Sequence, residues 1–261
     1  MLYSRFVLPS SQARAHVAVT DRWGGFSSTP FSSLNLALHV GDDETVVAAN
    51  RGIVANTLGL NPEALRFVDQ VHGNRVIAWD ENGAYDPLTG DRTDSVTADA
   101  HVTKTPGLGL VVMVADCVPV MFADPEAGVV GTAHAGRAGM VDGVVSATVA
   151  AMRELGASQI QVAIGPSICP RCYEVPAGMR DQVGSVEPVT ASVSREGTPA
   201  IDVAAGVAEQ AAREGCEIVD FSSTCTRESL DLFSYRKGAV TGRFGALVWL
   251  EEIATHPLKD A

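Results

Sequence analysis

The sequence predicts an α+β fold, in which a single domain over residues 1–261 layers mixed β-sheets with helices. Three segments repeat apolar residues at helical spacing, and seven short runs are rich in β-branched residues. The two kinds of segment do not alternate strictly, as they would in a doubly wound α/β fold. Residues 186–199, rich in Pro, Ser and Thr, are interpreted as a surface loop within that domain.

Capping residues mark the ends of the predicted helices. The first has an acidic start at Asp42 and Asp43 and a glycine stop, and the third has Asp202 as its N-cap. The second is predicted as one continuous helix that follows Gly139. The predicted helices span residues 42–59, 139–156 and 202–215.

Short β-branched runs between these helices predict the strands, because Val and Ile pack well on a pleated surface. The predicted strands span residues 75–79, 108–115, 118–122, 128–132, 160–164, 217–220 and 245–250.

Composition limits the partners. The chain has 19 basic and 31 acidic residues, a net charge of −12, and no run of Lys or Arg, which argues against a nucleic-acid polymer. The apolar run from Leu110 to Ala115 is far shorter than the roughly 20 residues that span a bilayer, so no membrane partner is expected. The N-terminal residues lack a signal-peptide pattern, and we expect a cytoplasmic protein.

Three reactive side chains lie at predicted strand ends beside turn signals: His72, Cys117 and His134. Two imidazoles and a thiolate suit zinc, and three protein ligands leave a fourth position for water or substrate. The intervals between them match no compact zinc motif, so separate structural roles remain the alternative. His39 and His101 are the next candidate ligands, although each is interpreted first as a strand residue.

A second feature lies just after His134, where Gly136, Arg137 and Gly139 lead into the second predicted helix. A glycine-bearing turn at a helix start presents free N–H groups to an anion such as phosphate, and Arg137 adds a forked donor. The alternative is that these glycines only permit close packing of helix and strand.

The remaining cysteines include one C-x-x-C pair, Cys169 and Cys172. It precedes no helix start, unlike a thioredoxin-type motif, and we interpret it as an incidental pair in a loop. A structural zinc site formed together with Cys216 and Cys225 is the less favoured alternative.

Short motifs along nearly the whole chain occur in a characteristic order. They are NL at 35–36, HVGDD at 39–43, NR at 50–51, QVHG at 70–73, ADA at 98–100, ADCVP at 115–119, AHAGR at 133–137, GPSI at 165–168, CYEV at 172–175, FSYR at 233–236 and TGR at 241–243. With these motifs the sequence resembles the laccase-domain family, also called polyphenol-oxidase-like or peptidoglycan-editing-factor proteins. The family is regarded as zinc-dependent purine nucleoside phosphorylases.

The resemblance implies that zinc is bound by His72, Cys117 and His134, with copper as a substitute. It implies phosphorolysis of adenosine, inosine, guanosine and methylthioadenosine with inorganic phosphate, giving free base and ribose 1-phosphate, together with adenosine deaminase activity. Zinc suits deamination because it activates water. Cys169 departs from the family pattern, which has glycine there.

Further polar residues of these motifs are candidates for the site. Asp116, beside Cys117, is a candidate acid or base, or else a residue that holds its turn. Asn35, Arg51 and Gln70 are candidate pocket residues. Tyr235 and Arg243 are considered with them, without an assigned role.

Two other classes of enzyme are alternatives to a zinc-dependent nucleoside phosphorylase. A multicopper oxidase needs many histidines, typically as His-x-His pairs, and this chain has six histidines and no such pair. A metal-free cysteine hydrolase acting on cell-wall precursors is the stronger alternative, with Cys117 as nucleophile and His72 or His134 as base. The preferred nucleoside and the oligomeric state do not follow from the sequence.

Overall fold

The computed structural model describes residues 1–253 and confirms the α+β class. The end of the predicted domain, at residue 261, lies outside the described residues. The helices are α1 Glu44–Leu58, α2 Arg137–Val141, α3 Val144–Glu154, α4 Ala177–Val186 and α5 Val203–Arg213. The strands are β1 Leu2–Pro9, β2 Ala13–Thr20, β3 Leu65–Phe67, β4 Val76–Asp80, β5 Gly83–Tyr85, β6 Ala100–Thr103, β7 Gly109–Val114, β8 Val118–Asp124, β9 Val129–Ala135, β10 Gln161–Ile164, β11 Ala191–Val193, β12 Pro199–Ile201, β13 Glu217–Phe221 and β14 Phe244–Glu252.

The first and third predicted helices are confirmed with their caps. The Asp43 side chain accepts hydrogen bonds from the backbone N–H groups of Thr45 and Val46 at the start of α1, and Gly59 ends that helix at φ 78°. The Asp202 side chain accepts from the N–H of Ala205 at the start of α5. These caps satisfy backbone donors that have no partner within the helix.

The prediction of one continuous second helix is wrong. The segment forms two helices, α2 and α3, separated at Asp142 and Gly143, where Gly143 adopts φ 83°. The side chain of Gln210 donates to the Met140 carbonyl and that of Asn74 donates to the Asp142 carbonyl. These tertiary hydrogen bonds satisfy the carbonyls at the break, which an apolar repeat cannot reveal.

All seven predicted strands are confirmed as β4, β7, β8, β9, β10, β13 and β14. The sequence reading missed seven others and helix α4. Residues 186–199 include a short 3₁₀ turn and the strand β11, which pairs with β12 as a small hairpin.

The fold is built on two large sheets. A five-stranded sheet has the order β1-β2-β14-β7-β3 and a seven-stranded sheet has the order β13-β10-β8-β9-β6-β4-β5. Both are mixed, since β3–β7, β4–β6 and β10–β13 are parallel and the other neighbours are antiparallel.

The molecule has four layers: α1, the five-stranded sheet, the seven-stranded sheet, and helices α2 to α5. Three apolar cores fill the spaces between them. One core packs α1 on the outer face of the five-stranded sheet, a second lies between the two sheets, and a third packs α2 to α5 on the far face of the seven-stranded sheet. Strands β8 and β9 therefore lie in the middle of the molecule and are completely buried. Within residues 1–253, no helix is long and apolar enough to cross a membrane.

His101 in β6 makes stability depend on pH. Its side chain is fully buried, and its Nδ1 accepts a hydrogen bond from the indole N–H of Trp79 at 3.1 Å, so it must stay neutral. Burial lowers the pKa of His101 to about 3 from 6.5. Below about pH 6.5 the unfolded chain therefore binds a proton that the folded chain excludes, and this group lowers the unfolding free energy by up to about 1.4 kcal/mol per pH unit down to about pH 3.

Urea unfolding of the wild type and His101→Gln between pH 7 and pH 4 measures this effect. We expect the stability of the wild type to fall more steeply than that of the variant as the pH decreases. Parallel pH profiles would contradict the assignment.

Candidate functional site

The three predicted strand-end residues come together beside the turn that links the two large sheets. Cys117 lies between β7 and β8, His134 lies near the end of β9, and His72 lies in the loop between β3 and β4. The register pairs Pro119 with His134, so the start of β8 and the end of β9 lie at one edge of the seven-stranded sheet. We call His72, Cys117 and His134 the His–Cys–His trio.

The geometry of the trio fits a metal ion. One candidate ligand atom from each residue lies within 4.8 Å of the other two. The rings of His72 and His134 meet edge-on, with centroids 4.7 Å apart and planes at 78°. His134 is buried, Cys117 is half-buried and His72 is exposed, so the set opens towards solvent on the His72 side. An open set of two imidazoles and one thiolate is the donor set of a catalytic zinc site.

The electrostatics of the trio favour a thiolate. Burial opposes ionisation of Cys117, but His134 and His72 outweigh it and lower the pKa of the thiol to about 6. Burial also opposes a charged His134, yet Cys117 and Asp99 raise the pKa of this imidazole to about 9. A thiolate that is ionised at neutral pH can bind a metal or act as a nucleophile.

Asp99 positions two members of the trio, and the sequence reading assigned it no role. It is fully buried directly before β6, and its Oδ1 accepts hydrogen bonds from His134 Nδ1 at 2.8 Å and from the His72 N–H at 2.8 Å. Its Oδ2 accepts from the Gly73 N–H at 2.7 Å and the Val71 N–H at 3.2 Å. The carboxylate therefore fixes the orientation of His134 and the left-handed turn at His72, where φ is 64°.

Gly136 and Gly139 are packed against the loop that carries His72. A Cβ atom on Gly136 would lie 2.7 Å from His72 Cδ2 and 3.2 Å from Cys117 Sγ. A Cβ atom on Gly139 would lie 2.7 Å from the Gly73 carbonyl oxygen. The close-packing interpretation thus has direct structural support, while a phosphate at this turn stays a prediction.

Asp116 holds a turn between the two sheets. Its φ is 104°, its Oδ1 accepts from Thr226 Oγ1 at 2.6 Å, and its Oδ2 accepts from the Arg236 N–H at 2.7 Å. The side chain lines the cavity beside the trio, but both of its oxygens accept hydrogen bonds from protein donors. These contacts favour the turn-holding interpretation over an acid–base role.

Of the three predicted pocket residues, one lines the pocket. Gln70 does so, although its amide exchanges two hydrogen bonds of 2.8 Å with the backbone of Met113. The structure does not bring Asn35 and Arg51 to the pocket wall. Asn35 is fully buried and accepts from the Arg243 N–H, while Arg51 donates to the Leu36 carbonyl and covers the ring of Phe67. Both contact residues that line the cavity, Asn35 through Arg243 and Arg51 through Met113.

A cavity of about 340 Å³ opens onto the trio and is lined by apolar, aromatic and polar residues. Arg137, Arg236 and Arg243 reach it, as do Tyr173 and Tyr235. His39 also lines it, but it is not among the clustered ligand atoms of the trio, and burial lowers its pKa. Three of these five residues lie in the motifs FSYR and TGR, and Arg137 and Tyr173 lie in AHAGR and CYEV. Their place in these motifs was the sequence signal for them.

The structure groups the cysteines outside the trio in a way that neither sequence interpretation predicted, whether the incidental pair or the four-cysteine zinc site. Cys169, Cys172 and Cys225 come together beside Glu228, with ligand atoms within 4.8 Å of one another. Cys216 is not part of this group.

Comparison with known proteins relates the whole arrangement to one family. A family model described as multi-copper polyphenol oxidoreductase laccase matches residues 16–251. A Streptomyces coelicolor protein named purine nucleoside phosphorylase is 48% identical over 239 residues, which cover 91% of this chain and 96% of the relative. A Corynebacterium glutamicum protein of the same name is 41% identical over 237 residues, covering 90% and 94%.

The fold has a solved counterpart. The crystal structure of YlmD from Geobacillus stearothermophilus superposes with a TM-score of 0.79 at 30% identity, covering 95% of this chain and 100% of that one.

Proposed function

The chain belongs to the family described as multi-copper polyphenol oxidoreductase laccase, and we propose that it is a zinc-dependent purine nucleoside phosphorylase. It would convert purine nucleosides and phosphate into free base and ribose 1-phosphate, within one catalytic domain over residues 1–261. The names of its relatives support the reaction class. The observation that carries the proposal is the His–Cys–His trio at the base of a cavity of nucleoside size.

The donor set suits zinc. The trio offers one thiolate and two imidazoles, and Asp99 bonds the second nitrogen of His134 as carboxylates do in many zinc sites. Copper binds the same donors and would be a substitute. Bound zinc supplies a Lewis acid next to the substrate.

The residues around the trio would bind the two substrates. Tyr173 and Tyr235 line the cavity, and a purine would stack on their rings, at Tyr173 on the face that Arg236 does not cover. The Tyr173 hydroxyl is protonated at neutral pH and can donate a hydrogen bond, and burial raises its pKa further. Arg137 lines the cavity beside the trio and would hold phosphate, as a forked cationic donor, for attack on C1′ of the ribose. A net charge of −12 means that such local cations must attract the anion.

The proposed substrates are adenosine, inosine, guanosine and methylthioadenosine. We propose adenosine deamination as a second activity of the same site, because bound zinc would supply the activated water that replaces the 6-amino group of the purine.

Phosphate dependence of base release tests the proposal directly. Zinc-replete protein is incubated with each nucleoside, with and without inorganic phosphate, while free base, ribose 1-phosphate and inosine are quantified. We expect base and ribose 1-phosphate in equal amounts only when phosphate is present, whereas adenosine should give inosine without it. Zinc-replete protein that releases no base with phosphate would contradict phosphorolysis.

Arg137→Gln adds a matched variant to this assay. Loss of a charge-assisted contact of about 1.5–3 kcal/mol should raise the KM for phosphate by about 10- to 100-fold, with zinc content unchanged. Arg180→Gln is the control, since Arg180 pairs with Asp181 on α4 and does not line the cavity. An unchanged KM for phosphate would remove Arg137 from the phosphate site.

A metal-free cysteine hydrolase is the second candidate function. The contacts from Cys117 to His134 and from His134 to Asp99 support it. The lowered pKa of Cys117 and the 2.8 Å contact between His134 and Asp99 are also features of a nucleophile, base and orienting acid. The second imidazole, His72, is surplus to such a triad but completes a set of three metal ligands.

Alkylation separates the two candidates. Iodoacetamide should label Cys117 slowly in zinc-loaded protein and rapidly after chelation if the thiolate binds zinc. Rapid labelling that zinc does not slow, with activity that resists chelators, would favour the hydrolase.

A further inference from the structure

A second group of potential metal ligands lies outside the His–Cys–His trio. It consists of Cys169, Cys172, Cys225 and Glu228, which we call the cysteine cluster. One ligand atom from each residue lies within 4.8 Å of the other three. In a tetrahedral zinc site with bonds of about 2.3 Å, sulfur atoms are about 3.8 Å apart, so the four atoms need to move by only about 1 Å to surround an ion.

Two tight turns supply the ligands in pairs. In the first, the N–H groups of Cys172 and Tyr173 both donate to the Cys169 carbonyl at 3.0 Å. In the second, the N–H groups of Glu228 and Ser229 donate to the Cys225 carbonyl at 3.2 and 3.0 Å. The sequence thus presents C-x-x-C and C-x-x-E, and ligand pairs with two residues between them are common in structural zinc sites.

Hydrogen bonds between the two turns already bring the candidate ligands together. The N–H of Cys169 donates to Cys225 Sγ at 3.4 Å, and the Cys172 thiol donates to Glu228 Oε1 at 3.4 Å. A parallel bridge between Ser167 and Cys225 fixes one turn against the other. Cys172 and Cys225 are buried, Cys169 is half-buried and Glu228 is exposed. The four residues together offer the four protein donors of a tetrahedral structural zinc site.

The Glu228 carboxylate beside these thiols suits a cation site. A divalent ion favours both the thiolate and the carboxylate forms of its ligands. Three arginines lie around the neighbouring cavity and would balance the negative charge of three thiolates and a carboxylate on one divalent ion: Arg171, Arg195 and Arg227.

We propose that the cysteine cluster is a structural zinc site, separate from the trio, that fixes one wall of the substrate cavity. Ile168 and Tyr173, which flank the C-x-x-C turn, line that cavity. Thr226, inside the second turn, donates to Asp116. Joining the two turns through one ion would therefore hold the tyrosine and the Asp116 turn in place.

Zinc counting on the intact protein tests the site. Protein purified under reducing conditions is expected to hold two zinc ions per chain, against one in Cys172→Ser and one in Cys117→Ala. Cys216→Ser is the matched control and should keep two, because Cys216 lies outside both groups. Equal zinc content in the wild type and Cys172→Ser would overturn the proposal, as would a disulfide among these cysteines found by thiol titration of denatured, unreduced protein.

Cobalt provides a readout that does not depend on folding of Cys172→Ser or on nucleoside cleavage. Apo Cys117→Ala titrated with Co²⁺ should show tetrahedral ligand-field bands and sulfur-to-cobalt absorption about three times that of a one-thiolate site. Absence of sulfur-to-cobalt absorption in this variant would refute the cluster site, whatever the reaction catalysed at the trio.

Discussion

His134→Ala is expected to abolish zinc binding at the trio and nucleoside phosphorolysis together. The variant leaves two ligands, one of them on an exposed loop, and removes the charge that stabilises the Cys117 thiolate. It also leaves Asp99 buried without the imidazole that it orients. Zinc content should fall by one ion per chain, and kcat/KM should fall about 1,000-fold or more, because a Lewis acid contributes several kcal/mol to the transition state.

His16→Ala is the matched control for this change. His16 stacks on Trp249 and bonds Glu251 in the five-stranded sheet, away from the cavity. It should therefore keep the wild-type zinc content and rate. Full phosphorolysis by His134→Ala would refute the proposed role of the trio, whereas loss of activity with zinc retained would support the hydrolase alternative.

Local sequence patterns predict the fold where one short segment determines its own structure. The β-branched run of β7 and the Asp43 and Gly59 caps of α1 are of this kind. The trio could be predicted because strand ends carry its residues, so topology brings Cys117 and His134 to one sheet edge.

Long-range hydrogen bonds determine the features that the sequence reading missed. The break between α2 and α3 depends on Gln210, from a helix about 70 residues away, since the apolar repeat continues across it. Asp99 could be recognised as a positioning residue only once its four donors were in place. The cysteine cluster likewise depends on the bridge from Ser167 to Cys225, and a spacing of two residues cannot indicate that partner.

Gly136→Ala is expected to impair the trio through a single added methyl group. Gly136 has φ −74°, which alanine adopts without strain, so the effect comes from contact and not from the backbone. The new Cβ would lie 2.7 Å from the His72 ring and 3.2 Å from Cys117 Sγ, and one of these ligands must move. Because a misplacement of about 1 Å can cost 100-fold, we expect kcat/KM to fall by about that factor, and zinc affinity to fall as well.

The same variant distinguishes packing from phosphate binding at this turn. If Gly136 serves only to present backbone N–H groups to phosphate, alanine raises the KM for phosphate and leaves zinc affinity at the wild-type value. If it serves to admit the His72 ring, competition with a chromophoric chelator shows weaker zinc binding at every phosphate concentration. Gly178→Ala is the control, since a Cβ there meets nothing within 4 Å and alanine favours helix α4. Weakened zinc binding in Gly136→Ala alone would therefore assign this glycine to the geometry of the trio.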